Sequence, residues 1–132
     1  MFFVHPILVH FPVGLWLVSF LFDLMYAWRR DARYALAAFW LIGLGLLGAL
    51  ASIASGWVDY LRLRPGLESD PGRLVVIHQI LGYAATGVYF TIFMLRRRSP
   101  ERPSRISMLL GISAAVLVGL GAWYGTIIRN RV

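Results

Sequence analysis

Three histidines and one aspartate carry most of the chemistry available to this chain. His5 and His10 bracket the opening stretch His5-Pro6-Ile7-Leu8-Val9-His10-Phe11-Pro12, at the threshold of a long apolar run. His78 opens another such run, and Asp59 follows Gly56-Trp57 at the end of the run between them. Imidazole and carboxylate are ligands for zinc, copper and iron. Two imidazoles approaching from opposite helices can also supply the axial ligands of a b-type haem. An ionisable side chain within a membrane is costly enough to count as a functional candidate.

The elements that must position these residues are apolar. Of 132 residues, 59% are hydrophobic and 14% charged, against about 25% charged in a soluble domain. The apolar residues fall in runs over about 6–28, 34–56, 74–95 and 106–128, each near the length that crosses ~30 Å of hydrocarbon. These runs predict an all-α, polytopic membrane protein, with one domain over residues 1–132 folded as a four-transmembrane-helix bundle. Loops this short make successive helices antiparallel neighbours.

The net charge of +7 does not point to nucleic acid. All thirteen basic residues are arginines, clustered beside the apolar runs, as expected where arginine sets topology in a lipid bilayer. The absence of cysteine excludes disulfides, thiolate metal sites, iron–sulfur clusters and covalent c-type haem attachment within the chain. The N-terminus lacks a basic n-region and a small-x-small cleavage site, so it reads as a retained first helix.

Arginine counts give an orientation. Eight arginines (29, 30, 33, 96, 97, 98, 102, 105) share one side and five (62, 64, 73, 129, 131) the other. The positive-inside rule then places both termini outside the cytoplasm. That His5, His10, Asp59 and His78 share one face follows from the span count alone.

Within the spans, Pro12 should kink the first turns. Asp23 should face the bundle or reach toward the arginines that follow it. Gly48, Ser52 and Gly56, then Gly111, Ala115 and Gly119, with Gly121 and Gly125 after them, form small faces for close helix approach. Residues 57–73 read as a loop punctuated by Pro65-Gly66 and Pro71-Gly72.

The two halves echo one another. His10 precedes Gly14 and His78 precedes Gly82 by four residues, and arginine clusters begin 19 and 18 residues after the two histidines. Trp57 and Trp123 follow them by 47 and 45. This predicts two pseudo-repeated helical hairpins about an axis along the membrane normal. His10 would then face His78, with the glycines leaving room for a flat group. His5 lies about 140° around a continuous helix from His10, so it would reach the same site only from a non-helical start. Asp59 has three candidate roles: fixing a ligand histidine's tautomer, binding a metal, or pairing with Arg62 or Arg64.

His-Pro-x-x-x-His-Phe-Pro-x-Gly-Leu at positions 5–15, Ser55-Gly56-x-x-Asp59 and the lone His78 resemble the bacterial membrane family called domain of unknown function 2231. The resemblance covers nearly the whole chain and implies a small four-helix membrane protein, with His5, His10, Asp59 and His78 as its polar residues. Relatives that look like fusions or neighbours of Rieske or cytochrome-like domains would imply electron transfer. The resemblance names no reaction.

Three functional readings follow. In the first, haem b is held near the outer face by His10 and His78, with Asp59 or His5 behind them, and exchanges electrons with a quinol or a periplasmic redox carrier. The second is a non-haem zinc, copper or iron site built from His5, His10, His78 and Asp59. The third is a non-catalytic subunit or assembly factor, packed by its small-residue faces into a homo-oligomer or a larger membrane complex.

Overall fold

A computed structural model describes residues 5–63 and 70–131, which form four helices. They are α1 (His5–Arg29), α2 (Ala32–Leu63), α3 (Asp70–Arg96) and α4 (Arg105–Arg131). All four are long and apolar enough to cross a membrane. Large apolar side chains such as Leu21, Leu47, Ile80 and Leu120 stay exposed along their outer faces, where lipid would cover them. α1 packs along α2, and α3 along α4, as two antiparallel hairpins. The hairpins meet one another more sparsely, through α2–α3 and α1–α4.

Several sequence expectations shift. α1 begins at His5 rather than at residue 6 and includes Pro12. α2 does not stop at Gly56 but runs on to Leu63, so residues 57–63 are helical and Asp59 sits on a helix face. At 1.5 Å per residue this helix is about 48 Å long, enough to project beyond the hydrocarbon. α3 begins at Asp70, which puts Pro71-Gly72 within its first turn. A proline there is tolerated because first-turn N–H groups have no intrahelical acceptor. Pro65-Gly66 lies outside the described residues.

The short turns are closed by local chemistry. Arg30 takes a left-handed conformation (φ 57°) after α1 and donates its N–H to the Tyr26 carbonyl at 2.8 Å. Asp31 then caps α2, accepting the Arg33 N–H at 3.0 Å. The Arg33 guanidinium also bonds the Asp31 carboxylate and holds its pKa down at about 2, so the cap stays ionised until the pH falls to that value. At α4 the capping hydroxyl is Ser104, which accepts the Ser107 N–H at 3.2 Å.

The interior shows the repeat in a register different from the expected one. Facing residues of α1 and α3 stand at a constant offset of 73 (5 to 78, 16 to 89, 23 to 96), and each of these pairs is in contact across the axis. The His5 and His78 rings lie with centroids 6.1 Å apart. Trp16 stacks on Tyr89 at 4.2 Å and 14°. Asp23 and Arg96 form a buried ion pair, with bonds of 2.7 and 2.8 Å. On α2 and α4 the inward positions 42, 45, 49 and 52 correspond to 111, 114, 118 and 121 at an offset of 69. Apolar packing fills the centre, the ion pair ties the hairpins at one end, and the histidines stand at the other.

The small faces serve this packing selectively. Gly48 receives Phe11 and Pro12, while Gly56 and Gly125 receive His5 and His78. Gly119, in contrast, is exposed with nothing near it, so the Gly111-Ala115-Gly119 stripe is not one continuous contact. Gly45 is the tightest position, because a Cβ there would come within 2.2 Å of Trp16 Nε1. That indole cannot easily yield, being stacked on Tyr89 and bonded to the Ile42 carbonyl at 3.3 Å. Gly45→Ala is therefore expected to destabilise the bundle by about 1–3 kcal/mol, the usual result of overpacking a filled core. Gly119→Ala should be near neutral, and thermal unfolding in detergent of both variants checks the contrast.

Candidate functional site

Two imidazoles are held in matching cradles, one from each hairpin. His5, at the start of α1, donates Nδ1–H to the Ser52 carbonyl of α2 at 2.8 Å, with Ser55 Oγ at 3.2 Å beside it. His78, on α3, donates Nδ1–H to the Gly121 carbonyl of α4 at 2.9 Å. One turn beyond each carbonyl lies a glycine against which the ring rests. A Cβ at Gly56 would stand 3.1 Å from His5 Cε1, and one at Gly125 3.3 Å from His78 Cε1. A carbonyl can only accept, so each Nδ1 carries a proton, and in the neutral ring each Nε2 keeps its lone pair. Neither Nε2 has a hydrogen-bond partner among the described residues. A ring N–H tied to a backbone carbonyl is the support that metal-ligating histidines commonly have, since it fixes the tautomer and raises basicity.

The spacing of the rings is that of an edge-to-face contact, and it also matches the separation of two imidazoles that share a metal. Their planes are 83° apart and their centroids 6.1 Å. Two imidazoles bound through Nε2 on opposite sides of one metal, with bonds of about 2 Å, have centroids roughly 6 Å apart. His5 stands on one hairpin and His78 on the other, and the cavity between the hairpins measures about 730 Å³. This lies within the usual range for small-molecule and cofactor sites. Its walls are mostly apolar, with Val9, Val13, Ala49, Leu117 and Val118 among them.

His10 does not share this arrangement. It is exposed, and its Nδ1–H turns back to the Pro6 carbonyl of its own helix. The expected His10–His78 pairing is thus replaced by His5–His78. The reason is that α1 is already helical at His5. Five residues on a continuous helix amount to about 140°, so directing His5 inward sends His10 to the rim of the cavity.

Asp59 also lines the cavity. It is 8% exposed, and its Oδ2 has no hydrogen-bond partner. No ion pair joins it to Arg62 among the described residues, and Arg64 lies outside them. Nor do three or more histidine, aspartate or glutamate side chains converge on one point among the described residues. The four-ligand set of His5, His10, His78 and Asp59 is not assembled: His10 stands at the rim, bonded to its own helix, and the other three do not converge.

Sequence reasoning underweighted His5 and left the partner of Asp23 open. The missed signal was the 73-residue spacing, which pairs Asp23 with Arg96 as it pairs His5 with His78.

Comparison with known proteins agrees with the membrane architecture. A family model described as predicted membrane protein (DUF2231) matches residues 2–131. No curated protein and no solved structure matches the chain.

Proposed function

The chain belongs to the DUF2231 family of predicted membrane proteins, and from that premise we propose that it is a small b-type cytochrome with His5 and His78 as axial ligands. The observation that carries this reading is the pair of imidazoles from opposite hairpins. Both are locked by Nδ1–carbonyl bonds into the ligating tautomer, with centroids 6.1 Å apart at an apolar cavity. A bound haem would supply one-electron chemistry between its ferric and ferrous states.

The chain's own contribution is to orient the ligands and tune them. The Ser52 and Gly121 carbonyls raise imidazole basicity and so favour the ferric form. Apolar walls exclude water from the group and weigh against surplus charge on it. In this reading His10 has no ligand role and is free for another task. The arginine bias supports an orientation with the histidine end away from the cytoplasm, which in a bacterial inner membrane is the periplasmic side. There the haem would exchange electrons with an aqueous one-electron carrier or a membrane quinol.

A second reading is favoured by one observation, the unpartnered buried Oδ2 of Asp59 beside the same cavity. A non-haem zinc, copper or iron ion held by His5 and His78 would take that oxygen as a third ligand only if Asp59 moved toward the two rings, since the three side chains do not converge as they stand. Absorption spectra and metal analysis of the purified protein separate the two. A haem protein gives Soret and α bands and stoichiometric iron, whereas the non-haem site gives a metal without those bands.

A further inference from the structure

The cavity lining extends to both seams between the hairpins, α1–α4 and α2–α3, and the two seams are built differently. Phe11 and Pro12 face Gly48 of α2, so His10, turned about 100° from Phe11 on the side away from Pro12, stands on the α4 side of α1. The lining of this α1–α4 window includes Val9, His10, Ala122 and Thr126. On α3, Leu81 and His78 face α4, so Tyr83, on the other flank, stands toward α2. That α2–α3 window is lined by Trp57, Tyr60, Gln79 and Tyr83, and Trp57 and Tyr60 are in edge-to-face contact at 5.8 Å. One window therefore has an imidazole on its rim with Val9, Ala122 and Thr126 beside it, while the other carries three aromatic rings. At the 73-residue offset, His10 and Tyr83 are counterparts.

We propose that the α1–α4 window admits the headgroup of a membrane quinol, with Nε2 of His10 as the group that accepts its proton. The inference rests on the haem reading and names the reductant of that same site. Four observations choose the occupant. The window opens from spans that face lipid, so what enters is lipid-soluble. The lining is mostly apolar, as a flat headgroup and tail require. The Pro6 carbonyl fixes the proton of His10 on Nδ1 and leaves Nε2 as an acceptor. His10 is exposed rather than committed to the ligand pair. These conditions describe a neutral two-electron, two-proton donor that enters from the lipid phase.

Complete oxidation of one quinol breaks two O–H bonds and releases two electrons and two protons. The ferric centre takes one electron at a time, and the aqueous carrier re-oxidises it between the two transfers. Each proton passes to Nε2 of His10 and leaves to the outer aqueous phase before the next arrives. The products are one quinone, two reduced carriers and two protons.

The test uses the haem-loaded protein in detergent, a short-tailed benzoquinol and stopped-flow detection of haem reduction. His10→Phe removes the acceptor and Ala122→Trp plugs the window, while Tyr83→Phe alters the opposite one. The first two should slow reduction by about tenfold or more, since positioned proton transfer is worth about 10²–10⁴. Tyr83→Phe should stay close to wild type, and dithionite should reduce all four proteins to the same spectrum. In parallel, a photoreactive benzoquinone should label α1 or α4, in haem-free as well as haem-loaded protein, and His10→Phe should weaken the labelling. Unchanged rates in both window variants, or labelling confined to α2 and α3, would overturn the proposal. So would a haem that dithionite reduces and the quinol does not. Failure of the haem reading would appear separately, as a colourless preparation.

Discussion

Arg96→Ala is expected to destabilise the protein by about 3–5 kcal/mol, because it leaves a buried charge without its partner. Arg96 is 1% exposed and gives two bonds to Asp23 and one, at 3.2 Å, to Ser107 Oγ. Asp23 is 5% exposed and has no other described partner. The pair joins α1 to α3, and hence one hairpin to the other, at the end away from the histidines. Asp23→Ala should cost a similar amount. The double variant Asp23→Leu with Arg96→Met should recover much of the loss, since an apolar pair of similar volume carries no desolvation penalty. Thermal unfolding in detergent reads all three. A single variant as stable as wild type, or a double variant no better than the worse single, would count against the pair as the tie between hairpins.

The second large effect concerns the ligands. His5→Ala and His78→Ala should each abolish tight haem binding, and because the two cradles are equivalent the losses should be comparable. His10→Ala should retain both haem and spectrum, since its ring lies on the rim and bonds only its own helix. Adding imidazole to His5→Ala should restore part of the low-spin spectrum, because the truncated side chain leaves room for it in the Gly56 cradle. Measuring haem content per protein across these variants distinguishes the proposed His5–His78 pair from the His10–His78 pair that the sequence echo suggested. If His10→Ala lost haem and His5→Ala kept it, that earlier pairing would be restored.

Much of the architecture was legible before any coordinates. Four apolar runs and their arginine flanks fix the helix count, because hydrocarbon thickness sets span length whatever the tertiary detail. The helix ends were less legible. Trp57 to Leu63 looks like a loop on polarity, yet polar residues at a membrane surface can continue a helix, and no strong breaker interrupts α2 before Pro65. The site was legible in its residue types but not in its register. Aligning His10 with His78 matched glycines four residues on, and glycines are frequent in membrane helices. Aligning His5 with His78 instead matches Trp16 with Tyr89 and Asp23 with Arg96, which differ in type and so leave no repeat visible in the letters. They are complementary rather than similar: an indole for a phenol, an acid for a base. Across a pseudo-two-fold axis, contact selects complementarity.

The central claim is that two imidazoles hold a haem between the hairpins, and the most direct measurement is the absorption spectrum of protein purified from haem-replete cells. It should be recorded oxidised and again after dithionite. The account predicts a Soret band that shifts and a sharp α band that appears on reduction, with one haem per chain. A colourless protein, or bound haem that persists when both His5 and His78 are replaced in a variant that still folds, would contradict it.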